Sequence, residues 1–389
     1  MQKGITLLLA ACLLMAGAVL PAGAAETAET IKIGALYNLT GDMAPIDVPS
    51  LKGARLQAKL INRAGGLLNG RQVEVVGIDT RADLKATAAA AHKLLSQGVV
   101  AAIGYGDTNF VMAAAPLFQK RGLPFVTSGA TLPDLPRLVG NCLFMAAFGD
   151  NDQAAAIAKF LSSRLKARSA VIWTDKNMDF AKALSKYFRQ SFSLLGGKII
   201  KEQFFSSPQD FPGLIAAFKA ARLKPDIIFI AAGPEAAAQA VKQIRGAAIN
   251  IPIAGGDSFD SDALLTVPGP KLAHDIYFAS HSFRGETGPE VRSFITAYRR
   301  EYGRPPADAF AALGFDALGI VAAAIKQAGT TAPAALCRAL AHIQGYHGVT
   351  GIISYTRSSG VPEKPVAIIG VTKGHFQRLW SWVPGNKKE

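Results

Sequence analysis

Only three of the 389 residues are cysteine, which excludes a disulfide-stapled scaffold. Charge is thin as well, at 18% of residues against 50% hydrophobic, so the chain is not intrinsically disordered and is long enough to bury two or three cores. Acidic side chains are the minority, 28 Asp and Glu against 42 Lys and Arg, for a net charge of +14. The basic residues nevertheless form no run with interleaved aromatics of the kind a nucleic-acid face needs. Arg164-Leu165-Lys166-Ala167-Arg168 and Lys387-Lys388 read instead as a solvated helix end and a tail. No nucleic-acid partner is expected, and the positive field favours anionic ligands or surfaces only in a general way.

Motifs that carry chemistry are missing too. Neither a Gly-x-x-x-x-Gly-Lys-[Ser/Thr] loop nor a complete Gly-x-Gly-x-x-Gly turn is present, and Gly104-Tyr105-Gly106 is a fragment of the latter. The six histidines and the cysteines show no metal-ligand spacing, and surface or structural roles are their default reading. Thr127-Ser128-Gly129 gives half of a nucleophile elbow. An enzyme is therefore not expected, and neither a cofactor nor a metal.

What is present begins with residues 1–25. Lys3, an apolar stretch from Ile5 to Leu20, and the small residues Ala22 and Ala24 before Glu26 follow the three-part plan of a secretory signal peptide. Leu9-Ala10-Ala11-Cys12 has the local pattern of a lipoprotein box, but the apolar stretch before Cys12 is short and another follows it, so soluble export is preferred. No later run reaches the roughly 18 uninterrupted apolar residues of a membrane span. The two remaining cysteines, Cys142 and Cys337, could pair or could be separate buried thiols, and sequence alone leaves both open.

From Ile31 onward, short β-branched runs alternate with Ala-rich amphipathic stretches, the rhythm of βα units in an α/β fold with parallel sheets. Strands are predicted at 31–36, 73–79, 99–104 and 124–127, with helices at 49–64, 84–95 and 110–121 between them. The rhythm restarts after residue 148, so two similar lobes are expected. Three helices then cover about 289–302, 308–327 and 333–343, and three strands linked by turns close the chain. An open α/β sheet places its ligand at the carboxyl ends of its strands. There the chain offers Tyr105-Gly106-Asp107-Thr108-Asn109-Phe110 and Ser128-Gly129-Ala130-Thr131, whose hydroxyls and N–H groups suit a carboxylate. The plainer alternative is that Thr108 only caps its helix.

These residues also match a family. Ile31-Lys32-Ile33-Gly34, Leu39-Thr40-Gly41, Gly53-Ala54, Ile61-Asn62-x-x-Gly65-Gly66-x-x-Asn69-Gly70 and Asp79 resemble the opening of the periplasmic leucine/isoleucine/valine-type substrate-binding proteins of ABC importers. The likeness runs on through Asp150-x-Asp152-Gln153, Asp226-Ile227-Ile228-Phe229, Gly255-Gly256-Asp257, Phe315-Asp316-Ala317 and Gly348-Val349-Thr350-Gly351. It implies two Rossmann-like lobes joined by a three-strand hinge, the type I periplasmic-binding-protein fold. The first lobe would hold 31–148 plus 281–347 and the second 149–280 plus 348–385, with crossings near 147–149, 280–282 and 346–348.

The resemblance assigns a ligand carboxylate to Thr108, Gly129, Ala130 and Thr131, a covering aromatic to Phe180 and an acid for an ammonium group to Asp257. Ile46, Tyr105, Asp107, Asn109, Ala232 and Phe310 would line the pocket. Ile46 stands where the family has a Tyr, and Ala232-Gly233 where an aromatic is common, which implies a less polar and larger pocket. The function implied is that of an exported, monomeric, periplasmic receptor for an amino acid or related organic acid, serving a membrane permease. A ligand sensor, a binder of aromatic acids and an exported hydrolase are the alternatives.

Overall fold

The computed structural model describes residues 29–281, 288–355, 359–372 and 374–384. The expected signal peptide, with Cys12, and Ser282 lie outside them. The chain runs β1 (Ile31–Tyr37), α1 (Ala44–Arg63), β2 (Val73–Asp79), α2 (Leu84–Ser96), β3 (Ala101–Gly104), α3 (Thr108–Gln119), β4 (Phe125–Thr127), a short α4 (Leu135–Val139) and β5 (Leu143–Met145). These strands form one parallel sheet in the order β2-β1-β3-β4-β5. Strands β1, β3, β4 and β5 are apolar and almost wholly buried because helices cover both faces.

The pattern then repeats as α5 (Asp150–Ser163), β6 (Ser169–Asp175), α6 (Asp179–Leu194), β7 (Lys198–Phe205), α7 (Phe211–Ala220), β8 (Ile227–Ala231), α8 (Pro234–Gly246), β9 (Ile253–Gly255), α9 (Ala263–Thr266) and β10 (Ile276–Ser280). Its parallel part runs β7-β6-β8-β9-β10, the same order by position as the first sheet, so the two halves share one topology. In both, strand order reverses beside the first strand, and a crevice opens at the carboxyl ends there.

The remaining elements are α10 (Pro289–Tyr302), α11 (Phe310–Ala328), α12 (Pro333–Ala341), β11 (Tyr346–Gly348), β12 (Gly351–Ile353), β13 (Val366–Thr372) and β14 (His375–Trp382). Helix α11 is long and apolar enough to cross a membrane by length and composition, and 78% of that stretch is buried inside the protein. It lies against α1 at backbone distance. A Cβ on Gly53 would fall 1.8 Å from the Ala311 carbonyl oxygen, and one on Gly314 1.9 Å from that of Ser50. Strand β13 adds antiparallel to β10 and β14 antiparallel to β13, completing a seven-stranded second sheet.

Three differences from the sequence reading have physical causes. Helix α1 starts at Ala44 rather than at residue 49, because Pro45 takes the first-turn position that suits proline and Pro49 falls inside the helix. Helix α5 starts at Asp150 rather than at the residue 154 that its Ala-rich stretch suggests, with Asp150 and Asp152 in its first turn where acids complement the helix dipole. The third difference concerns the last passage between the sheets. Gly348 to Gly351 is a hairpin turn held to α11, where Asp316 accepts hydrogen bonds from Val349 N, Thr350 N and the Thr350 hydroxyl. Ile353 and Tyr355 still pack in the first sheet's core, and the Tyr355 hydroxyl donates to the Met145 carbonyl at 2.9 Å. The chain leaves the first lobe only at 361–366, where the buried Lys364 ammonium donates to the Ala146 carbonyl and to Thr350 Oγ1. Cys142 and Cys337 are joined in a disulfide, which settles the alternative left open by sequence.

Candidate functional site

The carboxyl ends of the two sheets face each other across a narrow cavity. One wall is Met43, Ile46, Gly106, Asp107 and Phe310, and the other is Met178, Phe180, Gly233, Pro234, Asp257 and Ser258. Among the described residues the lining is apolar apart from Ser258 and two carboxyl groups, and it includes no Lys or Arg. A further cavity, about 440 Å³, lies between α10, the start of α11 and the β13–β14 pair, and none of the expected site residues faces it.

The first wall is built by short loops stitched together by backbone hydrogen bonds. Tyr105 sits in the left-handed region at φ +57°, a strained position of the kind that clusters at functional sites. Its carbonyl accepts from Gly129 N, Thr127 Oγ1 and Ser128 Oγ, tying the loop after β3 to that after β4. Asp47, fully buried on α1, accepts from Asn38 N and Gly106 N and so joins the loops after β1 and β3. Burial pushes its carboxyl up to about 7. Gly129 must be glycine because Phe310 covers it: a Cβ there would lie 2.9 Å from the ring and 3.2 Å from the Gly106 Cα.

A buried polar chain links both walls. The Thr131 hydroxyl donates to Asp150 Oδ1 at 2.7 Å, and Gln153 Nε2 donates to Asp150 Oδ1 and to Asp257 Oδ1. Gln153 Oε1 in turn accepts from Asp257 N. Asp257 Oδ2 lies 2.9 Å from His281 Nε2, and the His281 ring stacks on Phe148 with centroids 3.6 Å apart. Burial keeps His281 below its usual pKa although Asp257 pulls the other way. Thr108 Oγ1, Asp107 Oδ2, Asp150 Oδ2 and His281 Nδ1 are among the buried polar atoms without a hydrogen-bond partner in the described residues.

Of the residues expected from sequence, Ile46, Asp107, Phe180, Asp257 and Phe310 line the cavity. Thr108, at the first turn of α3, is buried behind Asp107 with its hydroxyl free. The others have different employment. The N–H groups of Gly129 and Ala130 donate to Tyr105 O and Thr127 Oγ1, and the Thr131 hydroxyl is engaged by Asp150. The Tyr105 side chain turns away from the cleft toward Thr80 and Thr87. Ala232 is buried in the second core, and its carbonyl accepts from Ser258 Oγ. Asn109 bridges the two walls outside the cavity.

The expected enlargement at Gly233 is absent, because Met178 and Met43, one from each lobe, bring their sulfur atoms to 3.3 and 3.7 Å of where a Cβ would stand. Unbranched methionines fill such gaps and adapt to what enters them. Met43, Met178, Asp47 and His281 are not among the expected site residues, and Gln153 appears only within a family motif with no role assigned. Only His281, at the expected crossing near 280–282, carries a signal that could have found it.

Asp150 gives the site a pH dependence. Burial first, and the charge of Asp257 second, push its carboxyl up to about 8 despite the bonds from Thr131 and Gln153. In the unfolded chain it titrates near 4. Between about pH 4 and 8 the folded protein therefore holds a proton that the unfolded chain has released, and this group's contribution to stability falls as pH rises across that window. Asp150→Asn, which mimics the protonated acid, is expected to raise the melting temperature at pH 8 more than at pH 5. An equal shift at both pH values would show that Asp150 is ionised in the fold.

Comparison with known proteins agrees with this geometry. A family model described as periplasmic binding protein matches residues 30–375. The leucine-, isoleucine-, valine-, threonine- and alanine-binding protein of Pseudomonas aeruginosa is 25% identical over 314 residues, covering 80% of this chain and 82% of that one. The crystal structure of a leucine-binding protein, LivK, of Thermotoga maritima superposes with a TM-score of 0.85 at 27% identity, covering 91% of this chain and 99% of that one. LivJ of Streptococcus pneumoniae, a branched-chain amino acid transporter substrate-binding protein solved with isoleucine, gives 0.83 at 30% identity with the same coverage.

Proposed function

Since the chain belongs to the periplasmic binding protein family, we propose that it is an exported, non-catalytic receptor that closes its two lobes on a single amino acid with an apolar side chain and delivers it to the membrane permease of an ABC importer. The observation that carries the reading is the small cavity between the two sheets, apolar in its body and flanked by Asp107 and Asp257, with no cationic side chain among the described residues that line it. An apolar side chain suits Met43, Ile46, Met178, Phe180 and Phe310. An ammonium group supplies the positive charge that Asp257 lacks. The α-carboxylate is left to the free Thr108 hydroxyl at the first turn of α3, where the helix dipole favours an anion although Asp107 already takes the Asn109 N–H. A plain organic acid brings a second negative charge to two acids, so the aromatic-acid reading is the weaker one.

Export rests on the N-terminal signal pattern and agrees with the disulfide, which persists in oxidising compartments. Part of the binding energy shifts the lobes from open to closed, since only the closed form lets both walls touch one ligand. Titration calorimetry of protein purified without denaturation, against leucine, phenylalanine and benzoate, tests the reading. Binding of at least one of the two amino acids and not of benzoate is the expected result. Binding of benzoate alone would overturn the role given to the amine, and binding of none would overturn the ligand class.

A further inference from the structure

Taking the receptor reading as given, we propose that Asn109 is a positioning residue for capture: a first-lobe side chain that caps a second-lobe helix when the lobes close. Asn109 lies in the first turn of α3. Its Nδ2 donates to the Asn177 carbonyl at 3.0 Å, and its Oδ1 accepts from Asp179 N at 3.1 Å. Asp179 is the first residue of α6, whose N-cap, Met178, supplies no side-chain acceptor. Helix amino ends need such an acceptor for their free N–H groups. Here it comes from the opposite lobe.

The residues on either side of Asp179 are Met178 and Phe180, both in the wall of the cavity. Within its own lobe the turn is held by Asn177 N donating to Asp175 Oδ1 and Asn177 Nδ2 donating to the Ser206 carbonyl. Asn109 thus holds the first turn of α6 where its apolar side chains cover the ligand, without lining the cavity itself. Asp107 of the first lobe is repelled by Asp179 and Asp175 of the second, a repulsion that Lys182 offsets in part by pairing with Asp179. The two Asn109 bonds are the neutral attraction that acts against this repulsion. They form in the closed arrangement and are replaced by water when the lobes part.

The experiment compares wild type with Asn109→Ala by two readouts. In stopped-flow measurements with leucine and isoleucine, the variant is expected to release both about tenfold faster, equivalent to roughly 1.4 kcal/mol, with association rates nearly unchanged and the preference between the two ligands preserved. In hydrogen exchange on protein purified without denaturation and supplied with leucine, so that the closed form is populated, the amides at 178–182 are expected to lose protection in the variant while the core strands keep theirs. A changed preference would mean that Asn109 touches the ligand, and unchanged release together with unchanged protection would show that the contact has no weight. Either result overturns the proposal. If wild type binds neither amino acid but the exchange effect appears, the ligand assignment fails and the cap stands.

Discussion

Asp257→Asn is expected to weaken binding of leucine about a hundredfold or more while leaving the des-amino analogue of leucine, if it binds at all, no weaker than before. Asp257 is 3% exposed, and both of its oxygens already have partners, Gln153 Nε2 and His281 Nε2. Gln153 is uncharged and burial favours the neutral form of His281, so these bonds orient the carboxylate without cancelling its charge. A ligand ammonium is the missing counterion. Removing one partner of a buried charged pair costs about 3–5 kcal/mol, and each factor of ten in affinity is roughly 1.4 kcal/mol. The same logic sets the sign for the analogue, whose only charge Asp257 repels. Calorimetry of both compounds against wild type and variant decides the matter. If the variant holds leucine as tightly as wild type does, Asp257 does not meet the amine.

This prediction draws on a residue that sequence could find, and the neighbours that shape its effect show why others could not be found. Asp257 follows a strand end after two glycines, and Thr108 sits in a polar turn at another; both are places where an open sheet offers its ligand contacts. The strands were legible because continuous β-branched runs such as Ile227 to Ile230 have one natural reading once helical stretches flank them. Gln153 and His281, by contrast, reach Asp257 from residues 104 and 24 positions away, and nothing local announces their meeting. Met43 and Met178 read as ordinary apolar residues, and only closure of the lobes brings both beside Gly233. The hairpin at Gly348 to Gly351 misled for the opposite reason. Its glycines mark a tight turn in either topology, and the choice is made by Asp316 on a distant helix.

Replacing Cys142 and Cys337 together by alanine is expected to lower stability by about 2–5 kcal/mol and to leave ligand affinity within about twofold. The bridge spans 195 positions, and the loop it closes contains all of β6 to β10, so cutting it frees a long stretch of the unfolded chain. Alanine is the better test than serine, because both positions are only 7% exposed and a hydroxyl there would be buried. Affinity should be spared for a geometric reason. Cys142 immediately precedes β5, and its carbonyl accepts from Phe125 N at the start of β4, so the bridge lies at the amino ends of these parallel strands. The ligand cleft is at the other end. The bridge ties β5 to α12, both in the first core, and does not join one lobe to the other, so it leaves the hinge motion free. Thermal unfolding of wild type with and without reductant, beside the double variant, measures the first effect, and calorimetric titration measures the second. An unchanged melting temperature would remove the bridge from the stability of the fold, whereas a large loss of affinity would show that the amino end of the sheet communicates with the cleft.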